Sequence, residues 1–157
     1  MGIYDTEEHD LKSQGEALQA VVEKAEPALQ AISNLTACEP VLNGGWSYKQ
    51  LIGHLIDSAA NNHQRFVRAA LQGELVAPGY DQAGQARVQA TQQADWPTLV
   101  TLWASYNRYL AHVIAHLPED QLSAMCRIGN GEPVTLKFLV DDYLAHLKHH
   151  LQQIGLA

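Results

Sequence analysis

The sequence predicts an all-α four-helix bundle, on three observations. Four long stretches repeat apolar residues at three- and four-residue spacing, the period of amphipathic helices. Pro and Gly residues fall between those stretches rather than within most of them. The chain has 157 residues, of which 46% are hydrophobic and 17% charged. That is enough apolar material for one compact core spanning 1–157 as a single domain.

The first helix is predicted over Thr6–Ser33, with Leu11, Leu18, Val21, Val22, Ala25, Leu29 and Ile32 on its inner face. Pro27 should kink or split it near Lys24, because proline removes a helical hydrogen bond. The second runs from Ser47 to Gln72: Gly44-Gly45 forms the turn ahead of it, and Ser47 with Gln50 spells a capping box. Leu51, Ile52, Leu55, Ile56, Ala59, Phe66, Val67 and Ala70 form its apolar face, and Gly73 ends it. The third begins at Asp95, an N-cap residue, with Pro97 in its first turn, and Pro118 stops it. Leu99, Leu102, Trp103, Tyr106, Leu110, Val113, Ile114 and Leu117 form its apolar set. The fourth starts at Thr135 and ends at Gly155, a residue suited to the C′ position. Residues 74–94 form a long connection between helices 2 and 3, containing Pro78-Gly79-Tyr80-Asp81. Such a connection crosses the end of a bundle, and a short helix is expected within residues 82–92. Gly129-Asn130-Gly131 marks a turn or small hairpin.

Composition narrows the function. Ten Lys and Arg against 17 Asp and Glu give a net charge of −7, which repels phosphate backbones and argues against nucleic acid as a partner. No apolar run approaches the roughly 18 residues of a membrane span. The segment Met1–Glu8 is polar and acidic, unlike a signal peptide. The two cysteines, Cys38 and Cys126, make no CxxC pair and no disulfide framework, so a reducing cytoplasm is expected.

The unusual count is eight histidines. His146 and His150 stand at i and i+4 on the fourth helix, a spacing that stacks two imidazoles over one metal. The glutamate of an HExxH zinc motif is absent, so the pair is not a zincin. At roughly 100° per residue, His150 lies about 40° and Tyr143 about 60° from His146, with the apolar stripe near 100°. The pair therefore sits on the shoulder of the buried face, where a metal would be partly dry yet reachable. His149 falls on the solvent side. His54 shares a face of the second helix with Ser58, Asn61 and Arg65. That strip is either a solvated helix edge or, if it faces the fourth helix, the source of a third ligand. Arg65 on the same face is a candidate anchor for an anionic substrate group. His112 and His116 form a competing i,i+4 pair, and His63 and His9 are weaker candidates. Trp46 reads as a core anchor at the start of the second helix, and Cys126 as an inert thiol.

Two segments carry a resemblance. Gly44-Gly45-Trp46-Ser47, followed by His54-Leu55-Ile56-Asp57-Ser58, resembles the GGW[ST]…HLxDS opening of the second helix in DinB-like proteins. His146-Leu147-Lys148-His149-His150-Leu151-Gln152-Gln153-Ile154 resembles that superfamily's closing HxxxHxxQI helix. The YfiT-like metal-dependent hydrolases are the most similar branch, through Asn61 with Arg65-Phe66 and through Gly79-Tyr80-Asp81. The likeness covers about residues 15–155. Ala59 and Gln153 depart from the branch, which often has histidine at both places.

The resemblance implies an up-down-down-up bundle with a divalent metal held by His54, His146 and His150, and Asp57 close behind those ligands. It also implies a homodimer formed through a helical face, for which the third helix is suited. Three neutral imidazoles leave the ion its full +2 charge, which lowers the pKa of a bound water toward about 7 or ionises a bound thiol. The implied activity is accordingly a hydrolase acting on a small amide or ester, or a transferase using a low-molecular-weight thiol. Imidazole ligands suit several metals; zinc or nickel is favoured, with iron or manganese next. The alternative is a non-catalytic metal-binding or dimerising stress-related bundle protein.

Overall fold

The computed structural model describes residues 10–41 and 45–156. Its elements in chain order are α1 (Leu11–Gln30), α2 (Asn34–Ala37), α3 (Tyr48–Gln72), β1 (Glu74–Ala77), α4 (Gln82–Val88), α5 (Trp96–Ala115), β2 (Met125–Ile128), β3 (Val134–Thr135) and α6 (Leu136–Gln153). The four predicted helices are α1, α3, α5 and α6.

Side-chain pairs fix the direction of each helix. Glu26 pairs with Arg108, and Gln30 Nε2 donates to Thr101 Oγ1 at 3.3 Å, so α1 and α5 run antiparallel. Tyr48 meets Trp96 at 6.5 Å between ring centroids and His63 meets Tyr106 at 5.6 Å, so α3 and α5 run parallel. His54 meets His150 at 5.0 Å and Phe66 meets Tyr143 at 6.1 Å, so α3 and α6 run antiparallel. Together these give the up-down-down-up order. Parallel neighbours α3 and α5 need the long connection that residues 74–94 supply.

The same parallel pairing explains a small sheet that the sequence did not announce. β1 follows α3 and β2 follows α5, so both strands leave the same end of the bundle in the same direction. They pair in parallel, Glu74 opposite Met125 through Ala77 opposite Ile128. β2 then turns back through Gly129, at φ 57°, onto β3 in antiparallel register, which is the expected hairpin. Leu75 and Ala77 point into the core while Glu74 and Val76 face solvent. The bundle core contains Trp96, Trp103, Phe66, Leu18, Leu29, Ile52, Leu55 and Leu147, all almost fully buried. Each such side chain contributes about 1.5–3 kcal/mol on burial.

Helix ends follow the predicted chemistry. Ser47 accepts from Gln50 N while Gln50 Oε1 accepts from Ser47 N at 3.0 Å, completing the capping box of α3. Gly73 closes α3 in the left-handed region at φ 74°. Asp95 caps α5 through Thr98 N, and Thr135 caps α6 through Phe138 N. One expectation is corrected. Pro27 does not split the first helix, which continues to Gln30. Pro27 and Glu23 are both exposed, so the carbonyl that proline leaves unpaired faces water. The described helix begins at Leu11 behind the N-cap Asp10; the predicted start at Thr6 lies outside the described residues, as does Gly44.

Residues 78–93 form a strap lying along α3 in the reverse direction. Arg65 Nη2 donates to Pro78 O at 3.3 Å, Gln89 Nε2 donates to the Asp57 carboxylate at 3.2 Å, and Ser47 Oγ bonds to Gln92. Between them Thr91 packs onto Gly53, where an added Cβ would lie 2.3 Å from Thr91 Cγ2. The strap includes α4, the short helix expected in this stretch, and a 3-10 turn at Thr91–Gln93.

Candidate metal centre

The capping box places the start of α3, and two turns later His54 points into the bundle with 2% of its surface exposed. The antiparallel packing of α6 brings His146 and His150 opposite it. Ring centroids are 5.7 Å apart for His54–His146, 5.0 Å for His54–His150 and 4.4 Å for His146–His150. One ring nitrogen from each lies within 4.8 Å of the other two, and His146 Nε2 and His150 Nε2 are 3.1 Å apart. A tetrahedral ion about 2.1 Å from its nitrogens sets them about 3.4 Å apart, so the cluster has the scale of a coordination site.

Both His54 nitrogens are buried and have no hydrogen-bond partner among the described residues. A buried imidazole with two orphaned nitrogens is costly unless something else meets them, and a cation is a chemically suitable occupant. Trp46 packs edge-on against His54 at 5.1 Å and closes the site from the N-terminal side. Trp46 is itself held by the Pro40–Ser47 bridge and by Val41 N donating to Trp46 O at 2.9 Å. His150 Nδ1 donates to Gln153 Oε1 at 3.2 Å, which leaves Nε2 as the lone-pair nitrogen facing the cluster. Such a partner orients a ligating imidazole. His150 also sits in the last turn of α6, where the helix dipole is negative and favours a cation.

Electrostatics agree. Burial, and then the neighbouring His150 and His146, lower the His54 pKa from 6.5 to about 4. Burial lowers His146, opposed in part by Asp142, and burial followed by His146 lowers His150. All three rings are therefore neutral at pH 7, the form that ligates.

The other predicted site residues lie elsewhere. Asp57 accepts from Gln89 and, since neither nitrogen of His54 has a partner, its carboxylate is not bonded to that ring. Burial raises its pKa. It lines a cleft of about 560 Å³ with Asn61, Asp81, Gln85, Arg87 and Gln89, between α3 and the strap. Arg65 holds Pro78 O and covers the Tyr80 ring at 5.8 Å, so it anchors the strap. The His112 and His116 rings meet at a tilt, centroids 4.2 Å apart, at the C-terminal end of α5, next to Glu16 and Lys12 of α1 and away from the cluster. His63 bonds Tyr106 at 2.7 Å, and His9 lies outside the described residues. Trp46, expected as a core anchor, is half-buried and packs on the His54 ring instead, and Gln153 gains a role through its bond to His150 across a helical turn that its sequence position did not announce.

A family model described as the DinB superfamily matches residues 12–154. A Bacillus pumilus protein provisionally named a metal-dependent hydrolase is 26% identical over 98% of this chain and 90% of its own length. YfiT of Bacillus subtilis, with the same provisional name, is 24% identical over 88% of this chain and 79% of its own. The solved structure of YfiT superposes with a TM-score of 0.84 at 21% identity, covering 98% of this chain and 91% of that one. A mycothiol-dependent maleylpyruvate isomerase superposes at 0.75 with 16% identity, over 95% of this chain and 62% of that one. Both superpositions establish a shared fold.

Proposed function

The chain belongs to the DinB superfamily, and from that membership we propose that it is a metal-dependent enzyme whose divalent ion is held by His54, His146 and His150. The observation that carries the reading is the buried His54 ring, with neither nitrogen partnered among the described residues, facing two imidazoles on another helix. An ion bound there would supply Lewis acidity and make a coordinated water or thiol acidic near neutral pH. The remaining work falls to the chain itself. His54 is buried at the base, Trp46 excludes water from one side, and Gln153 fixes the His150 tautomer. The less buried His146 and His150 leave the α6 side open to small molecules. Asp57 and Arg65 hold the strap, Asp57 through Gln89 and Arg65 through Pro78 and Tyr80.

The reaction we favour is hydrolysis of a small amide or ester, which the names of the Bacillus relatives support. A second route, transfer chemistry using a small thiol, draws support from the mycothiol-dependent neighbour. Zinc or nickel suits the all-imidazole set. The protein is further read as a cytoplasmic homodimer acting on a small molecule and binding no nucleic acid. No described helix is long and apolar enough to cross a membrane.

The test is an activity screen of zinc- and nickel-loaded protein over amide, ester and thiol-transfer substrates, with His146→Ala alongside. Turnover in the loaded protein that falls at least 100-fold in His146→Ala is expected. Stoichiometric metal without turnover on any substrate class would favour the non-catalytic metal-binding alternative.

A further inference from the structure

The C-terminal end of α5 carries a second histidine pair, which the proposed function leaves unused. His112 lies in the last turn of α5 and His116 is its C-cap residue. Four residues apart, they project from one side of the helix. Their ring centroids are 4.2 Å apart, against 4.4 Å for His146 and His150, and both side chains are exposed. A close approach of α1 shapes their surroundings. A Cβ on Gly15 would lie 2.7 Å from Ala111 O and 3.1 Å from Ala115 Cβ, so a glycine here is what lets the two backbones come this near. Lys12 and Glu16, one turn apart on α1, are thereby set beside His112 and His116 along a groove of about 370 Å³.

The hydrogen bonds leave lone pairs available. His116 Nδ1 donates to His112 O at 2.8 Å. A carbonyl oxygen only accepts, so Nδ1 carries the proton and Nε2 of the neutral ring keeps its lone pair. The same bond satisfies a carbonyl that the end of α5 would otherwise leave to water, and it orients the ring as a metal ligand's partner does. Among the described residues neither nitrogen of His112 is claimed by a hydrogen bond. Tyr109 steadies that ring, stacked 13° from parallel with centroids 6.3 Å apart. The groove's formal charges nearly cancel: Glu16 offsets Lys12, and Arg108 is paired with Glu26. The negative end of the α5 dipole then tips the balance toward a cation.

We propose that His112 and His116 are a second metal site, taking a divalent ion of the zinc or nickel type through one nitrogen of each ring, with water completing the shell. Imidazole selects such ions over magnesium and calcium, which prefer oxygen ligands. Two exposed imidazoles hold an ion less tightly than three converging ones, so this site exchanges with solution and empties when free metal is removed. It is independent of any ion at His54, His146 and His150.

The test is equilibrium dialysis of untagged full-length protein against rising zinc, with magnesium present throughout. The parent should bind about two zinc ions per chain at saturation and retain about one after desalting. His112→Ala leaves the residue 112 carbonyl and its bond to His116 in place; it should weaken the exchangeable ion at least tenfold and leave the retained one unchanged. His116→Ala should do the same. His54→Ala should lose the retained ion and keep the exchangeable one, so the two metal readings fail separately. In proton NMR spectra the ring resonances of His112 and His116 should shift together as the exchangeable ion binds. No exchangeable ion in the parent, equal binding of it by His112→Ala and His116→Ala, or ring resonances that stay still while it binds would each overturn the second site.

Discussion

His54 is the residue on which the site turns, and its environment has a consequence that can be measured without any metal. In the fold its pKa is lowered from 6.5 to about 4, mainly by burial. On unfolding it returns to the ordinary value, so between about pH 4 and 6.5 the unfolded chain holds the extra proton. Stability of the metal-free protein is then complete above about pH 6.5 and declines as the pH drops toward 4, by up to about 3 kcal/mol. His146 and His150 are lowered as well and contribute in the same sense. Urea unfolding of chelator-treated protein at pH 7 and pH 4.5 should show this loss, and His54→Gln should reduce it by half or more. An identical pH dependence in His54→Gln would mean that the ring is not held in the environment described. The i,i+4 pair His146–His150 was legible because helix spacing alone brings two side chains together. His54 was legible as a ligand only through the family resemblance, since nothing local says which way a helix face will turn. Gln153 could not be read as a tautomer-fixing partner, because that role depends on a rotamer. Asp57 was placed behind the ligands, whereas the strap claims its carboxylate through Gln89.

At the scale of elements, α3, α5 and α6 followed from periodicity, capping residues and terminal glycines, all of which act within a few residues. β1, β2 and β3 did not, apart from the hairpin turn. Strands of four, four and two residues are too short to display alternation, and the parallel β1–β2 pairing depends on α3 and α5 ending together. The strap was expected as a crossing with a short helix, yet its seat on α3 depends on Gly53, which the sequence did not single out. An alanine there would place its Cβ 2.3 Å from Thr91 Cγ2, within a buried contact. Gly53→Ala should therefore lose about 1–2 kcal/mol through overpacking despite the better helix propensity of alanine. Adding Thr91→Ser, which removes that methyl, should recover most of the loss in thermal unfolding. A Gly53→Ala protein as stable as the parent would show that the strap does not press on α3 here.

At the scale of the molecule, the bundle holds two features in one frame: an inward histidine cluster shared by α3 and α6, and an outward stripe on α5. Thr98, Leu102, Ser105 and Tyr109 recur at helical spacing on that stripe, with Leu102 46% and Tyr109 57% exposed. The dimer proposed above would use this face. Sedimentation equilibrium should give twice the 17.3 kDa chain mass, and Leu102→Asp should return it to the single-chain value. A parent protein that sediments as one chain at tens of micromolar would refute the dimer.

The histidine cluster joins residues 54, 146 and 150 through tertiary structure, so its most direct test is elemental analysis of untagged protein purified without added metal and then reconstituted. About one divalent ion per chain is expected in the parent, falling below about a tenth in His54→Ala, with folding retained by circular dichroism. Equal metal in the parent and in His54→Ala, or none in either, would contradict a site built across α3 and α6.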